Sequence, residues 1–239
     1  MLQLVGGVIL YAPCQKMFYF KKTISIIMFE FTRGEIRDLI IAFIVLSFSF
    51  AISNVGLDAQ GIISILPIVM FGVGIGFLLH ELGHKYVAVK YGHHSEFRLW
   101  PLGLLISFAT AFIGIVFAFP GEAHFDSDSI SDEINGRISI AGPMANMVLA
   151  LIFILIAILV YPLKFHFSVL NLIFLICTVG FSVNSFLALF NLLPLYTLDG
   201  TNVFKWNAGY GIISIIIAGI MMLTSITIGA ENMVMMFVG

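Results

Sequence analysis

Charge is what this chain has least of. Only 10% of its 239 residues are Asp, Glu, Lys or Arg, against 60% hydrophobic, whereas soluble domains carry about 25% charged residues. Too little polar surface remains to cover a core in water, which excludes a soluble globular protein. Basic clusters are missing too. The 11 Lys and Arg residues are scattered, so no stretch can track phosphates and nucleic acid is excluded as a partner. Cysteine is nearly absent: Cys14 and Cys177 lie far apart, the latter in an apolar run, which argues for unpaired packing thiols and against a disulfide framework. Residues 1–20 hold a short apolar patch with no small-residue cleavage site, so a peripheral extension is expected there and not a signal peptide.

What the chain has in quantity is long apolar runs. A span needs about 20 mostly apolar residues, and residues 38–53 (extendable into their flanks), 61–92, 138–163, 170–193 and 210–229 qualify. The expected fold class is membrane all-α, a polytopic bundle of five to six transmembrane helices spanning residues 36–239 after an N-terminal extension over 1–35. As one helix, residues 61–92 would be about 48 Å long, more than the hydrocarbon is thick, with Pro67 and several glycines available to bend it. Residues 101–121, PLGLLISFATAFIGIVFAFPG, are ambiguous. Hydropathy makes them a sixth span, while flanking prolines and Phe, Ile, Thr and Gly content suit strands.

Basic residues orient the bundle. If residues 101–121 do not cross, Lys16, Lys21, Lys22, Arg33, Arg37, Lys85, Lys90, Arg98, Arg137 and Lys205 share one face and only Lys164 lies on the other, ten against one. A sixth crossing weakens the bias to nine against two. The charges therefore favour five crossings in a multi-pass protein of the cell membrane.

Against this background, HELGH at residues 80–84 is anomalous, because ionisable groups inside hydrocarbon are costly. His80 and His84 are four apart, so on a helix both imidazoles leave the same face one turn apart, the spacing at which two ring nitrogens share one Zn2+. Glu81, about 100° around the helix, sits beside the metal without ligating it, where it can take a proton from the attacking water. Chance places such a pattern in about 0.4% of shuffled chains of this composition. Gly83 leaves room for a substrate or a neighbouring backbone. A catalytic zinc needs a third protein ligand. Glu122, His124, Asp126, Asp128, Asp132 and Glu133 read as solvated loop, and His93 and His94 lie several turns beyond His84. Asp199, in FNLLPLYTLDGTNVFKW (residues 190–206), is the favoured candidate, since Pro194 breaks the preceding helix and lets the chain turn inward.

HELGH followed by Asn-x-x-Pro-x-x-x-Leu-Asp-Gly at residues 191–200 resembles the site-2 protease family of intramembrane zinc metalloproteases, peptidase family M50, in its prokaryotic type without a PDZ insert. AGPMANMVLA, residues 141–150, also resembles a family segment, with Asn146 at its Asn position. The resemblance covers about residues 61–206, and Leu195-Tyr196 departs from the common wording after the proline. It implies a three-helix catalytic core, one Zn2+ on His80, His84 and Asp199, an active site toward the cytoplasmic side, and a membrane-associated β-structure over about residues 93–125. The implied partners are transmembrane protein substrates cut within the bilayer. Asn191 and Asn146 are candidates for binding the substrate backbone or the developing oxyanion, or for helix–helix hydrogen bonding. Two rivals make different demands. A membrane metalloprotease of another type would take its third ligand from Glu122 or Glu133, and a metal-ion transporter would need Glu81 for transport.

Overall fold

The computed structural model describes residues 30–125, 130–195 and 198–238. Most of the expected N-terminal extension, Cys14, Asp126 and Asp128 lie outside the described residues. In chain order the elements are α1 (Arg33–Val55), α2 (Ala59–Lys90), β1 (Ser95–Leu99), α3 (Pro101–Ala111), β2 (Gly121–Phe125), α4 (Asp132–Val160, continued by a 3-10 turn Tyr161–Leu163), α5 (Ser168–Leu192), α6 (Asp199–Trp206), α7 (Ala208–Thr227) and α8 (Ala230–Val238). Among the described residues, five helices are long and apolar enough to cross a membrane: α1, α2, α4 with its 3-10 turn, α5 and α7.

Helix starts follow from short polar side chains that accept from otherwise unpaired first-turn amides. Thr32, Asp58, Ser131 and Asn207 do this for α1, α2, α4 and α7. Neither Pro67 in α2 nor Pro143 in α4 ends its helix; α2 runs on for 32 residues, and its last turns emerge beside the small sheet. The outer faces are apolar all round, as on α7, where Ile212, Ile213, Ile216, Ile217, Ile220 and Leu223 are exposed. That pattern belongs to a helix whose solvent is lipid. Inside, one cluster joins Leu46, Val69, Val73, Phe77 and Leu187 across α1, α2 and α5. A second joins Met147, Phe153, Phe174 and Phe181 across α4 and α5.

Residues 101–121 neither cross nor form strands throughout. β1 and β2 pair antiparallel at the two ends, with Arg98 opposite Glu122 and Glu96 opposite His124. Between them stands α3, only 11 residues long, about 17 Å and too short to span. A turn at Gly114 follows (φ 82°), and an extended leg then returns along α3. Ser107 pins that leg: its hydroxyl donates to the Phe117 carbonyl at 2.5 Å and accepts from the Phe119 amide at 3.1 Å. The expectation of strands fails here because Pro101 suits the first helical position and Leu102–Ile106 continue the helix until the chain reverses.

The outer edge of β1 is not open. Phe97 N–H donates to Glu35 (3.3 Å) and Leu99 N–H to Asp38 (3.2 Å), both on α1. Glu35 in turn binds Lys85 of α2 at 2.6 and 2.8 Å, each residue only 3% exposed. On the opposite side of the bundle, Lys164 after α4 meets Glu231 of α8 at 2.7 Å.

Candidate metalloprotease active site

His80 and His84 project from one face of α2, 7% and 4% exposed. Their Nε2 atoms are 3.0 Å apart, and Asp199 Oδ2 lies 3.2 Å from the first and 3.3 Å from the second. Asp199 arrives there because α5 stops at Leu192, the chain turns at Leu193 and Pro194, and α6 begins at Asp199 itself. Gly200 lets α6 close onto the end of α5, since a Cβ there would overlap the Leu192 carbonyl. Asn202 ties α6 to α4 by donating to Ser139 Oγ at 3.1 Å. Among the described residues, these three form the one group of His, Cys, Asp or Glu side chains close enough to share a metal ion.

The hydrogen bonds behind the rings decide what faces the centre. His84 Nδ1 lies 2.8 Å from the Ile138 carbonyl, which can only accept, so Nδ1 carries the proton. His80 Nδ1 lies 2.6 Å from Asn146 Oδ1, which likewise accepts. As neutral rings, both then present Nε2 lone pairs, facing each other and a carboxylate oxygen. Three acceptors this close, with no hydrogen between them, repel unless a cation sits among them. Gly142 on α4 completes the cradle: a Cβ on it would overlap His84 Nε2 and come within 2.7 Å of His80 Nε2. Two imidazoles and one carboxylate with space at their focus are the donor set of a catalytic zinc site. Outer hydrogen bonds of this kind fix ligand orientation.

Glu81 lines the same cavity, of about 320 Å³, with His80, His84, Asn191 and Asp199. The sheet and the returning leg supply the opposite wall, including Arg98, Phe119, Glu122 and His124. At the sheet, the Thr32 hydroxyl donates to Glu96 at 2.5 Å; this bond, with Arg98 adding to it, holds the Glu96 carboxyl below the usual range.

Asn191 lines the cavity, one amide proton going to the Leu187 carbonyl at 3.0 Å. Asn146 does not. It is fully buried behind His80, with its oxygen on His80 Nδ1 and its amide protons on the Gly76 carbonyl (3.0 Å) and Asn184 Oδ1 (2.9 Å). No donor is left for a substrate, so its reading as an oxyanion or substrate group is corrected to that of a support for His80. Glu122 pairs with His124 (3.5 Å) and Glu133 with Arg137 (2.9 Å), and neither joins the histidines. The space expected at Gly83 is filled by neighbouring backbone, with the Ala141 carbonyl 2.9 Å from where its Cβ would stand. Gly142 and Asn184 were missed in the sequence. A lone Asn in the apolar run FSVNSF was the available signal for Asn184.

Comparison with known proteins agrees with this chemistry. The family model of Peptidase family M50 matches residues 68–178, which takes in HELGH and all of α4. A protein of Methanocaldococcus jannaschii, provisionally named a zinc metalloprotease, is 38% identical over 75% of this chain and 88% of its own length. A second provisionally named zinc metalloprotease, from Bacillus subtilis, is 30% identical over 60% of this chain and 70% of its own length. A further M. jannaschii protein, named a zinc metalloprotease, is 30% identical over 59% of this chain and 34% of its own length. No solved structure matches the chain.

Proposed function

This chain belongs to peptidase family M50, the site-2 protease family, and from that premise of a multi-pass membrane zinc metalloprotease we propose that it hydrolyses a peptide bond within or near the transmembrane segment of a membrane-protein substrate. The observation that carries the reading is the convergence of His80 Nε2, His84 Nε2 and Asp199 Oδ2 within 3.3 Å of one another inside a spanning bundle, with Glu81 on the same cavity wall.

His80, His84 and Asp199 would hold the zinc. When bound it supplies Lewis acidity to the scissile carbonyl and makes a water acidic enough to give up its proton near neutral pH. Glu81 takes that proton and returns it to the departing amine, acting first as base and then as acid. Asn191, on the cavity wall, has one amide proton beyond its bond to Leu187 that can meet a substrate carbonyl. The site lies close to the basic-rich face: His84 is six residues from the end of α2, about 9 Å along its axis. Five crossings among the described residues put Arg33, Arg37, Lys85, Lys90, Arg98, Arg137 and Lys205 on that face against Lys164 alone. This bias supports a cell-membrane protein with its active site toward the cytoplasm, whence water reaches it.

A helical substrate has its carbonyls engaged, so it must be extended before it is cut. β1 offers no free edge, because α1 carboxylates occupy the amides of Phe97 and Leu99. By the alternation of an antiparallel pair, Gly121, Ala123 and Phe125 point their backbone groups away from β1. No backbone hydrogen bond from another element reaches them among the described residues. An extended substrate pairs there by strand addition. Proline substitutions along β2 that left cleavage unchanged would count against this.

The test of the whole reading is a purified, detergent-solubilised protein incubated with a model membrane peptide, with and without a zinc chelator. Glu81→Gln is expected to retain zinc and lose hydrolysis. Chelator-resistant cleavage, or full activity in E81Q, defeats the proposal.

A further inference from the structure

Asn184 lies on α5, far in sequence from HELGH, fully buried and touching no metal-ligand residue through any hydrogen bond. Its amide nitrogen donates to two backbone carbonyls, Gly72 at 3.2 Å and Gly180 at 2.8 Å. Carbonyls only accept, so the Asn184 amide cannot be turned the other way. Its Oδ1 is thereby committed to face Asn146, whose Nδ2 donates to it at 2.9 Å and to the Gly76 carbonyl at 3.0 Å. That in turn leaves Asn146 Oδ1 pointing at His80 Nδ1, 2.6 Å away. An acceptor there selects the tautomer with the proton on Nδ1, and so a lone pair on Nε2 at the centre.

We propose that Asn184 is a positioning residue for the metal centre, acting through Asn146 to set the orientation and tautomer of His80. The local packing is built around it. Gly76, one turn before His80, has no side chain where a Cβ would overlap Asn184 Oδ1. Every polar hydrogen of the two asparagines has an acceptor, so the relay is closed at one end by backbone and open only toward the histidine. Such fully satisfied buried networks are rigid, and a partly satisfied one is costly.

The inference rests on His80 being a metal ligand, and the test separates the two. Zinc dissociation constants are measured by competition with a chelating dye on the full-length protein in detergent, and the visible spectrum of the Co2+-substituted protein reports ligand geometry. His80→Ala is the control. If H80A binds zinc like the parent, the reading of the site itself falls. Asn184→Leu keeps the branching and heavy-atom count and removes the acceptor, and is expected to raise the zinc dissociation constant about tenfold, the low end of the range for outer hydrogen-bond partners of a metal-bound His, with a shifted Co2+ spectrum. Asn184→Asp, with its carboxyl protonated, still donates to one carbonyl and accepts from Asn146, and is expected to stay within about threefold of the parent. In an Asn146→Ala background, N184L should add nothing, because its effect passes through Asn146. Parental zinc affinity and spectrum in N184L, loss in N184D equal to that in N184L, or an undiminished N184L effect on top of N146A each overturns the inference. Should N184L fail to fold, Asn184→Ser, too short to reach Asn146, takes its place with the same expected and overturning results.

Discussion

Gly142→Ala adds one methyl group to the protein and should abolish useful zinc binding. The new Cβ would stand 2.6 Å from His84 Cε1 and 2.7 Å from His80 Nε2, where ordinary contact begins at 3.4 Å. The His80 ring must retreat by about 0.7 Å and the overlapped His84 ring by more, several times the roughly 0.2 Å within which metal–ligand distances are held. Neither ring is free to do so. His80 is tethered to Asn146 at 2.6 Å and His84 to the Ile138 carbonyl at 2.8 Å. Breaking those two bonds costs about 1 kcal/mol each, so the zinc dissociation constant should rise at least about 30-fold, 1.4 kcal/mol being a factor of ten. The helix itself should not suffer, since Ala is favoured over Gly in a helix interior by about 0.5–1 kcal/mol. Bound zinc, measured by elemental analysis after dialysis against a graded chelator, should fall. Thermal unfolding in chelator should show a loss of only about 1–1.5 kcal/mol, the two broken hydrogen bonds less the helix gain. G142A holding zinc with parental affinity would refute the cradle geometry.

Two other outcomes follow from the same geometry. Asp199→Ala should strip the protein of zinc, whereas Glu122→Gln and Glu133→Gln should leave its zinc content unchanged; the reverse pattern would favour a glutamate as third ligand. Glu35→Gln should destabilise the fold by about 3–5 kcal/mol, because it leaves Lys85 charged and unpaired in a site where both residues are 3% exposed. The apolar pair Glu35→Leu/Lys85→Met should recover most of that loss in thermal unfolding, and a double variant as unstable as E35Q would contradict the ion-pair account.

How far the sequence could be read depended on whether a feature was local. HELGH was legible because one helical turn separates its histidines and any helix brings them together. Asp199 was legible as a candidate because Pro194 and Gly200 announce a sharp turn at the end of an apolar run. The five spans were legible because lipid demands apolar residues on every face. Asn146 was left between a substrate group and a helix–helix hydrogen bond, and the structure takes the second. Its spacing on α4 says that it can face α2, and only the register of the two helices decides whether it meets the cavity or the back of a ring. Gly142 carries no side chain to announce itself, and its importance is a void that exists only once α4 lies against α2. In residues 101–121, local propensity supports helix and strand alike, and the division was settled by Ser107 reaching the Phe117 carbonyl across a turn.

The plugged flank of the small sheet has a consequence for traffic. A hairpin with two open sides can capture an unfolding polypeptide on the wrong one, holding it idle and away from Glu81. Here Glu35 and Asp38 deny that berth by occupying the amides of Phe97 and Leu99. On the proposed function, an extended chain recruited by the hairpin would have a single mooring, on the strand whose Gly121, Glu122 and His124 line the chamber, and capture and delivery would become one event.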